Sequence, residues 1–230
     1  MHNLEAVFDL HQVTDNLGIL AAGAGTTLLL ALTAIVLAAI VGVALAAMRS
    51  APWKPVLWIS RAYIELIRGT PLLVQMYILY YGLPSLGLTL SAFQAAAIAL
   101  ALNSGAYVGE ILRSAIQSVE RSQRESGRAV GLSFWATQRR IVLPQAAPLA
   151  LPSLVGEVVD IVKWSSLGSI VVVPEATQVV YQIVNQSYRG FGILFLALAA
   201  FYLVVTALIA ALSRRLERRM TRYRLRIAHA

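Results

Sequence analysis

Three ionisable side chains stand inside an otherwise apolar run: Glu157, Asp160 and Lys163, each three residues from the next. On a helix that spacing makes successive members neighbours and draws the set onto one face over about two turns. Charged groups at membrane depth are costly, and they face a protein interior or an aqueous path. Two chemistries fit. The carboxylates can receive an ammonium while Lys163 receives a carboxylate, which makes a site for a cationic or zwitterionic solute. Alternatively, Lys163 pairs with Asp160 or Glu157, and the set neutralises itself and holds helices together. Ser165 and Ser166 follow directly, and Thr70 and Gln75 supply further hydroxyl and amide groups to such a site.

Catalytic constellations are missing from the sequence. The histidines are His2, His11 and His229, all near the termini, so none falls within an apolar run. There is no His-Glu-x-x-His, no Gly-x-Ser-x-Gly and no cysteine, which removes the common hydrolase and thiol chemistries and any thiolate metal site. The Gly-x-x-x-x-Gly-Lys-Ser/Thr phosphate loop is absent as well, so the chain does not hydrolyse ATP by that route. No catalytic residue, metal or cofactor is therefore assigned to this chain.

The elements that carry these residues are set by composition. Hydrophobic residues make up 58% of the chain and charged ones 13%, against about 45–50% and about 25% in a soluble domain. With a mean hydropathy of +0.70, the chain needs lipid as its solvent. The net charge of +8 would suggest nucleic acid in a soluble protein, but its distribution argues otherwise. All Lys and Arg residues except Lys163 and Arg189 fall in three blocks, Arg49–Arg68, Arg113–Arg140 and Arg214–Arg226. Each block sits beside the end of an apolar run, as expected of cytoplasmic segments. The blocks lack interleaved stacking aromatics, so no nucleic-acid partner is inferred.

The apolar runs predict an all-α integral membrane protein of about five transmembrane helices in a single domain, residues 1–230. They cover about Leu17–Met48, Trp58–Leu83, Ser91–Ile116, Ile141–Val173 and Phe191–Leu212, each near or above the roughly 20 residues that span a bilayer. The segment 1–16 carries Glu5, Asp9 and Asp15 and no Lys or Arg. That is the wrong charge for the start of a cleaved signal peptide, so the first run is expected to stay as an anchor. The basic blocks put the N-terminus outside, the loop 117–140 inside, and the tail 213–230 inside as a basic helix. Unequal runs do not pair as the inverted repeats of many secondary transporters do. Glu110 and Arg113 are read as a structural pair, with each other or with Glu65 and Arg68. Tyr181, Asn185 and Tyr188 fall on the outer side, as a contact face for a partner or equally as a generic surface helix.

The loop 117–140 holds the most informative spacing. Glu125-Ser126-Gly127-Arg128-Ala129-Val130-Gly131 is followed, after nine residues, by Ile141-Val142-Leu143-Pro144. Small residues at 126, 127 and 129 permit close approach of another backbone, and Gly131 can take the positive φ that ends a short helix. Leu132, Phe134 and Trp135 then offer apolar anchors. An amphipathic loop on anionic membrane lipid explains the composition equally well; the spacing does not follow from it. That spacing resembles the EAA loop of ABC-importer permeases: Glu-Ala-Ala, three residues, Gly, nine residues, Ile-x-Leu-Pro, with Ser126 and Gly127 in place of the alanines.

A second stretch narrows the resemblance. Arg68-Gly69-Thr70-Pro71-Leu72-Leu73-Val74-Gln75 is similar to the signature of the polar amino-acid permeases, the membrane subunits of histidine, arginine, glutamine and cystine-type importers. Tyr80-Tyr81-Gly82-Leu83-Pro84 and Ala106-Tyr107-Val108-Gly109-Glu110-Ile111-Leu112-Arg113 continue it. Physically, Gly69-Thr70-Pro71 interrupts a helix, which is tolerated at membrane depth only where protein or a water-filled cavity covers the freed backbone. Lys163-Trp164-Ser165-Ser166-Leu167 departs from the family's Lys-Asp/Glu-Thr-Ser-Leu at Trp164, and Glu157 stands where the family often has Asn. The resemblance implies a type I importer permease in the bacterial inner membrane. It further implies an ATPase-coupling segment at Glu125, Ser126, Gly127, Ala129, Gly131, Leu132, Phe134 and Trp135. The implied partners are two cytoplasmic ABC ATPases that carry the ATP and Mg, a second permease subunit, identical or homologous, and a periplasmic or lipid-anchored solute-binding protein. The cargo is then a polar amino acid; methionine, an opine, or a secondary transporter are the competing readings.

Overall fold

The computed structural model describes residues 7–50 and 53–228, with side chains as far as 216. Glu5, His2 and His229 lie outside the described residues, as do the side chains of the basic tail beyond 216. Among the described residues every regular element is helical. In chain order, α1 is Leu17–Arg49, α2 Lys54–Arg68, α3 Leu72–Tyr77, α4 Ala92–Gln117, α5 Arg121–Ala129, α6 Leu143–Trp164, α7 Ala176–Ser187 and α8 Phe191–Ala228.

Among the described residues, four stretches are long and apolar enough to cross a membrane: 17–49, 92–117, 134–171 and 191–216. The expected run Trp58–Leu83 is not one continuous helix. It breaks into α2 and a shorter apolar helical stretch, Leu72–Leu86. Proline dictates the break. Pro71 adopts φ −63° and ψ 135°, an extended conformation at the start of α3, and its ring cannot donate a hydrogen bond to the preceding turn. Beyond α3 the chain winds through a π turn, Ile78–Gly82, and a 3-10 turn, Leu83–Leu86, to Gly87 at φ +81°.

The centre of the bundle is α4. Of its most apolar stretch 67% is buried inside the protein, against 6% for α8, so α4 is enclosed by protein while α8 offers its flank to lipid. A reciprocal Ser91–Gln94 capping box starts α4. It packs on α1 through small residues. A Cβ at Gly42 would stand 2.3 Å from Val108 Cγ1, one at Gly105 2.5 Å from Val41 Cγ1, and one at Gly109 2.9 Å from Leu45 Cβ. Only glycine lets these backbones come so close, the packing device of membrane helices, where apolar burial alone supplies no attraction. Ala31, Ala34 and Ala38 of α1 are buried with Ala96, Ala97 and Ala99 of α4. Leu28, Leu32, Val36, Ile40 and Val43 are exposed along the rest of α1.

α6 lies across α4 on the other side, with Ala146 and Ala150 packed near Ala115 and Val119. It contains Pro148 and Pro152, each of which withholds one intrahelical donor. Tyr63 of α2 donates to the Leu102 carbonyl of α4 at 2.9 Å. At the far end of the bundle, α7 is seated by a buried polar knot. Glu175 is fully buried and caps α7 by accepting from the backbone N–H of Thr177 and of Gln178. It also accepts from Tyr202 of α8 at 3.1 Å and Thr27 of α1 at 3.4 Å, while Thr27 Oγ1 accepts from Ala176 N.

Candidate functional site

The trio in α6 does not act as a unit. A step of three residues rotates a helix position by about 60° short of a full turn, so the members drift around the helix. Glu157 is buried at 7% exposure, whereas Asp160 is half-buried and Lys163 exposed. Lys163 Nζ lies 2.7 Å from Asp160 Oδ1; of the two partners the spacing allowed it, Asp160 is the one it takes. Glu157 lies beside Ser104 of α4, and apart from each other neither Glu157 Oε1 nor Ser104 Oγ has a protein partner within hydrogen-bonding geometry. A buried carboxylate served by a single hydroxyl keeps unused acceptor capacity, which is costly, and such atoms mark where a donor from outside fits.

The helix break organises a second polar set. Thr70 Oγ1 donates to Leu66 O at 2.9 Å, recovering a carbonyl freed by the break. Gln75 Nε2 donates to Ile67 O and to Thr70 Oγ1, and Asn103 Nδ2 of α4 donates to Gln75 Oε1. Thr70 and Gln75 are thus brought together, with Asn103 joining them, and their polar atoms hold the interruption in shape. Ser165 and Ser166 each donate the hydroxyl hydrogen back to a carbonyl of the preceding turn, Val162 and Lys163, which leaves their oxygens as acceptors.

Trp164, Tyr107 and Arg68 make a column that spacing did not reveal. Helical side chains lean toward their own N-terminus. α4 and α6 run in opposite directions, so Tyr107 and Trp164 lean toward each other, with ring centroids 6.4 Å apart. The Arg68 guanidinium lies 4.9 Å from the Tyr107 centroid, a cation–π contact. Next to it, Glu110 accepts from Arg113 Nε, 3.0 Å from each oxygen, with Arg49 Nη2 at 3.8 Å. Glu110 and Arg113 therefore pair with each other as expected, with Arg49 as the additional partner; Glu65 and Arg68 are not part of that pair.

The segment from Glu125 to Gly131 forms the end of α5. Gly131 takes φ +83°, Leu132 N donates to Gly127 O at 3.0 Å and Gly131 N to Arg128 O at 2.9 Å, which is the Schellman arrangement. Gly127 alone of the small residues is buried, and what it approaches is its own chain: a Cβ there would meet Ile141 Cδ1 at 2.8 Å and Thr137 Cγ2 at 3.1 Å. Ser126 and Ala129 are exposed and Leu132 half-buried. Val130 is 77% and Trp135 78% exposed, with Phe134 beside Trp135, ring centroids 5.5 Å apart. Glu125 is held by Arg121, Nε to Oε1 2.7 Å. Tyr181, Asn185 and Tyr188 stand exposed along α7 and at its end. No group of metal-ligating side chains occurs among the described residues.

The chain is similar to several membrane transport subunits. A probable amino-acid ABC transporter permease protein of Bacillus subtilis (strain 168), YckA, is 34% identical over 219 residues, covering 95% of this chain and 96% of that protein. The glutamine transport system permease protein GlnP of Escherichia coli (strain K12) is 39% identical over 164 residues, covering 70% of this chain and 74% of its own length. A crystal structure of an amino acid ABC transporter with histidines superposes with a TM-score of 0.85 at 35% identity, covering 90% of this chain and 96% of that one. The family model for the inner membrane component of binding-protein-dependent transport systems matches residues 34–222. With that match, with such relatives along nearly its whole length and with four membrane-length apolar helices, this chain belongs to the family of inner membrane components of binding-protein-dependent transport systems.

Proposed function

We propose that this chain is the permease subunit of an ATP-driven importer for a polar amino acid, with its N-terminus outside and its C-terminus in the cytoplasm. The observation that carries the coupling role is the bare apolar end of α5, where Val130, Phe134 and Trp135 are uncovered beside the Gly131 turn. Clustered exposed aromatics of this kind fit a groove on a partner. The basic loop around them is cytoplasmic by its charge, which points to the ABC ATPase, where the ATP and Mg reside.

In this reading ATP binding draws two ATPase subunits together and displaces α5 in each of two permease subunits, identical or homologous. The motion passes through the internal contacts of Gly127 with Ile141 and Thr137 to the start of α6. An outward-open cavity then accepts the solute from a binding protein docked on the outer face, where Tyr181, Asn185 and Tyr188 stand. Glu157, a buried carboxylate with only the Ser104 hydroxyl beside it, receives the solute's ammonium. Relatives named for amino-acid and glutamine transport support the cargo class.

The test is ATP hydrolysis and amino-acid uptake in proteoliposomes holding this chain, its ATPase and the loaded binding protein. Wild type is expected to raise hydrolysis when the loaded binding protein is added, and Gly131→Asp and Trp135→Ala to lose that response. Full coupling in both variants would remove α5 from the coupling path.

A further inference from the structure

We propose that the cleft between α4, α6 and the end of α2 is a binding site for the carboxylate of a free α-amino acid, with Arg68 as the receiving group. The proposal rests on the import reading for its solute class and for placing the cleft on the cytoplasmic side. The cleft has a volume of about 420 Å³ and is lined by Arg68, Tyr107, Glu110, Ser114, Leu149 and Ser153 among others. That space lies within the range of small-molecule sites, about 300–1,000 Å³.

Charge selects the ligand. Lys163, the cation that the sequence offers to a carboxylate, is occupied by Asp160. Arg113 and Arg49 are both turned on Glu110. Arg68 has no ion pair among the described residues. Its guanidinium is held by the face of Tyr107, which fixes the plane while leaving its N–H donors available, and a planar donor fork matches a carboxylate in bidentate fashion. Arg68 and Glu110 are the charged residues of the lining, and with Glu110 taken up by Arg113 and Arg49 the guanidinium of Arg68 is the charge left for a ligand. The hydroxyls of Ser114 and Ser153 accept from an ammonium, and Ile111, Ala115 and Leu149 supply an apolar wall for a short side chain. A solute leaving the Glu157 region toward the cytoplasm then exchanges an acidic ammonium receptor for a basic carboxylate receptor. The same site, refilled from the cytoplasm, holds internal amino acid.

The complex of this chain with its ATPase, purified in detergent micelles so that both faces are reachable, is titrated without binding protein. The probes are L-glutamine and L-arginine, each as free acid and as α-carboxamide. The acids are expected to bind at least tenfold more tightly than the amides. Arg68→Gln should erase that preference and weaken acid binding at least tenfold, Arg68→Lys should keep part of it, and Lys163→Gln should leave it intact. Equal binding of acid and amide to wild type, no binding at all, an unchanged preference in Arg68→Gln, or its loss in Lys163→Gln would each overturn the proposal. So would abolition of acid binding by phosphatidylglycerol but not phosphatidylcholine, which would assign the cleft to a lipid headgroup. Uptake with the binding protein is measured separately. Failure of uptake with the acid preference intact counts against the import reading alone, whereas intact uptake with no preference counts against this site alone.

Discussion

At the scale of single residues, Glu175 and Glu157 present opposite solutions to a buried carboxylate. Glu175 accepts from Thr177, Gln178, Tyr202 and Thr27, whereas Glu157 has only the Ser104 hydroxyl beside it. Burial pushes the Glu175 carboxyl above its ordinary value of 4.5, against the lowering pull of its hydrogen bonds. A carboxyl whose folded value is raised binds more protons folded than unfolded. Its contribution to stability is therefore full below the ordinary value and is lost as the pH rises through the raised one. Thermal unfolding of the purified protein should show that fall, and Glu175→Gln should flatten it. Glu175→Ala, which also removes the α7 cap, is expected to cost about 1–3 kcal/mol. Equal melting temperatures for Glu175→Ala and wild type across pH would show that the knot contributes nothing. Glu157→Gln is expected to lower uptake roughly tenfold, the scale of one hydrogen bond to a charged group. Asp160→Asn removes only a half-exposed ion pair, worth about 1 kcal/mol or less. If uptake is unchanged in both variants, the ammonium role of α6 is lost.

At the scale of elements, the glycines of α1 and α4 set how closely the two helices pack. Gly105→Leu or Gly42→Leu places a side chain where Val41 or Val108 already stands. Overpacking of that kind costs about 1–3 kcal/mol, readable as a lower melting temperature, while Gly18→Leu, with open space around it, should change nothing. Much of this level was legible in the sequence. The apolar runs, the break at Pro71 and the turn at Gly131 are local properties of backbone chemistry. The assignment of partners was less so. Gly127 reads equally well as room for a foreign backbone or for Ile141, and the approach of Ile141 and Thr137 comes only from the return of the chain. Thr27, Glu175 and Tyr202 are far apart in sequence, and nothing in a single sequence marks three common residues as one knot. The Trp164–Tyr107–Arg68 column escaped for a related reason, since it depends on two antiparallel helices leaning toward each other.

At the scale of the whole molecule, orientation is the property on which everything else turns. The sequence contains no cysteine, so a single introduced thiol reports without background. Tyr188→Cys is expected to react with a membrane-impermeant maleimide on intact cells, and Ser126→Cys only after the membrane is opened. The reverse pattern would invert the topology and the assignment of the ATPase face. The charge blocks are what the orientation rests on, because retention of Lys and Arg in the cytoplasm is a property of composition and needs no tertiary contact.

The Glu175 knot joins α1, α7 and α8 at one end of the bundle, while the α2–α3 break and the two internal prolines of α6 lie elsewhere. A movement that respects those bonds keeps the joined ends of three helices as a fixed collar and bends the rest like a sleeve beyond it. Loosening the collar would then leave ATP turnover in step with its ATPase while letting solute leak past, a failure of sealing distinct from a failure of drive.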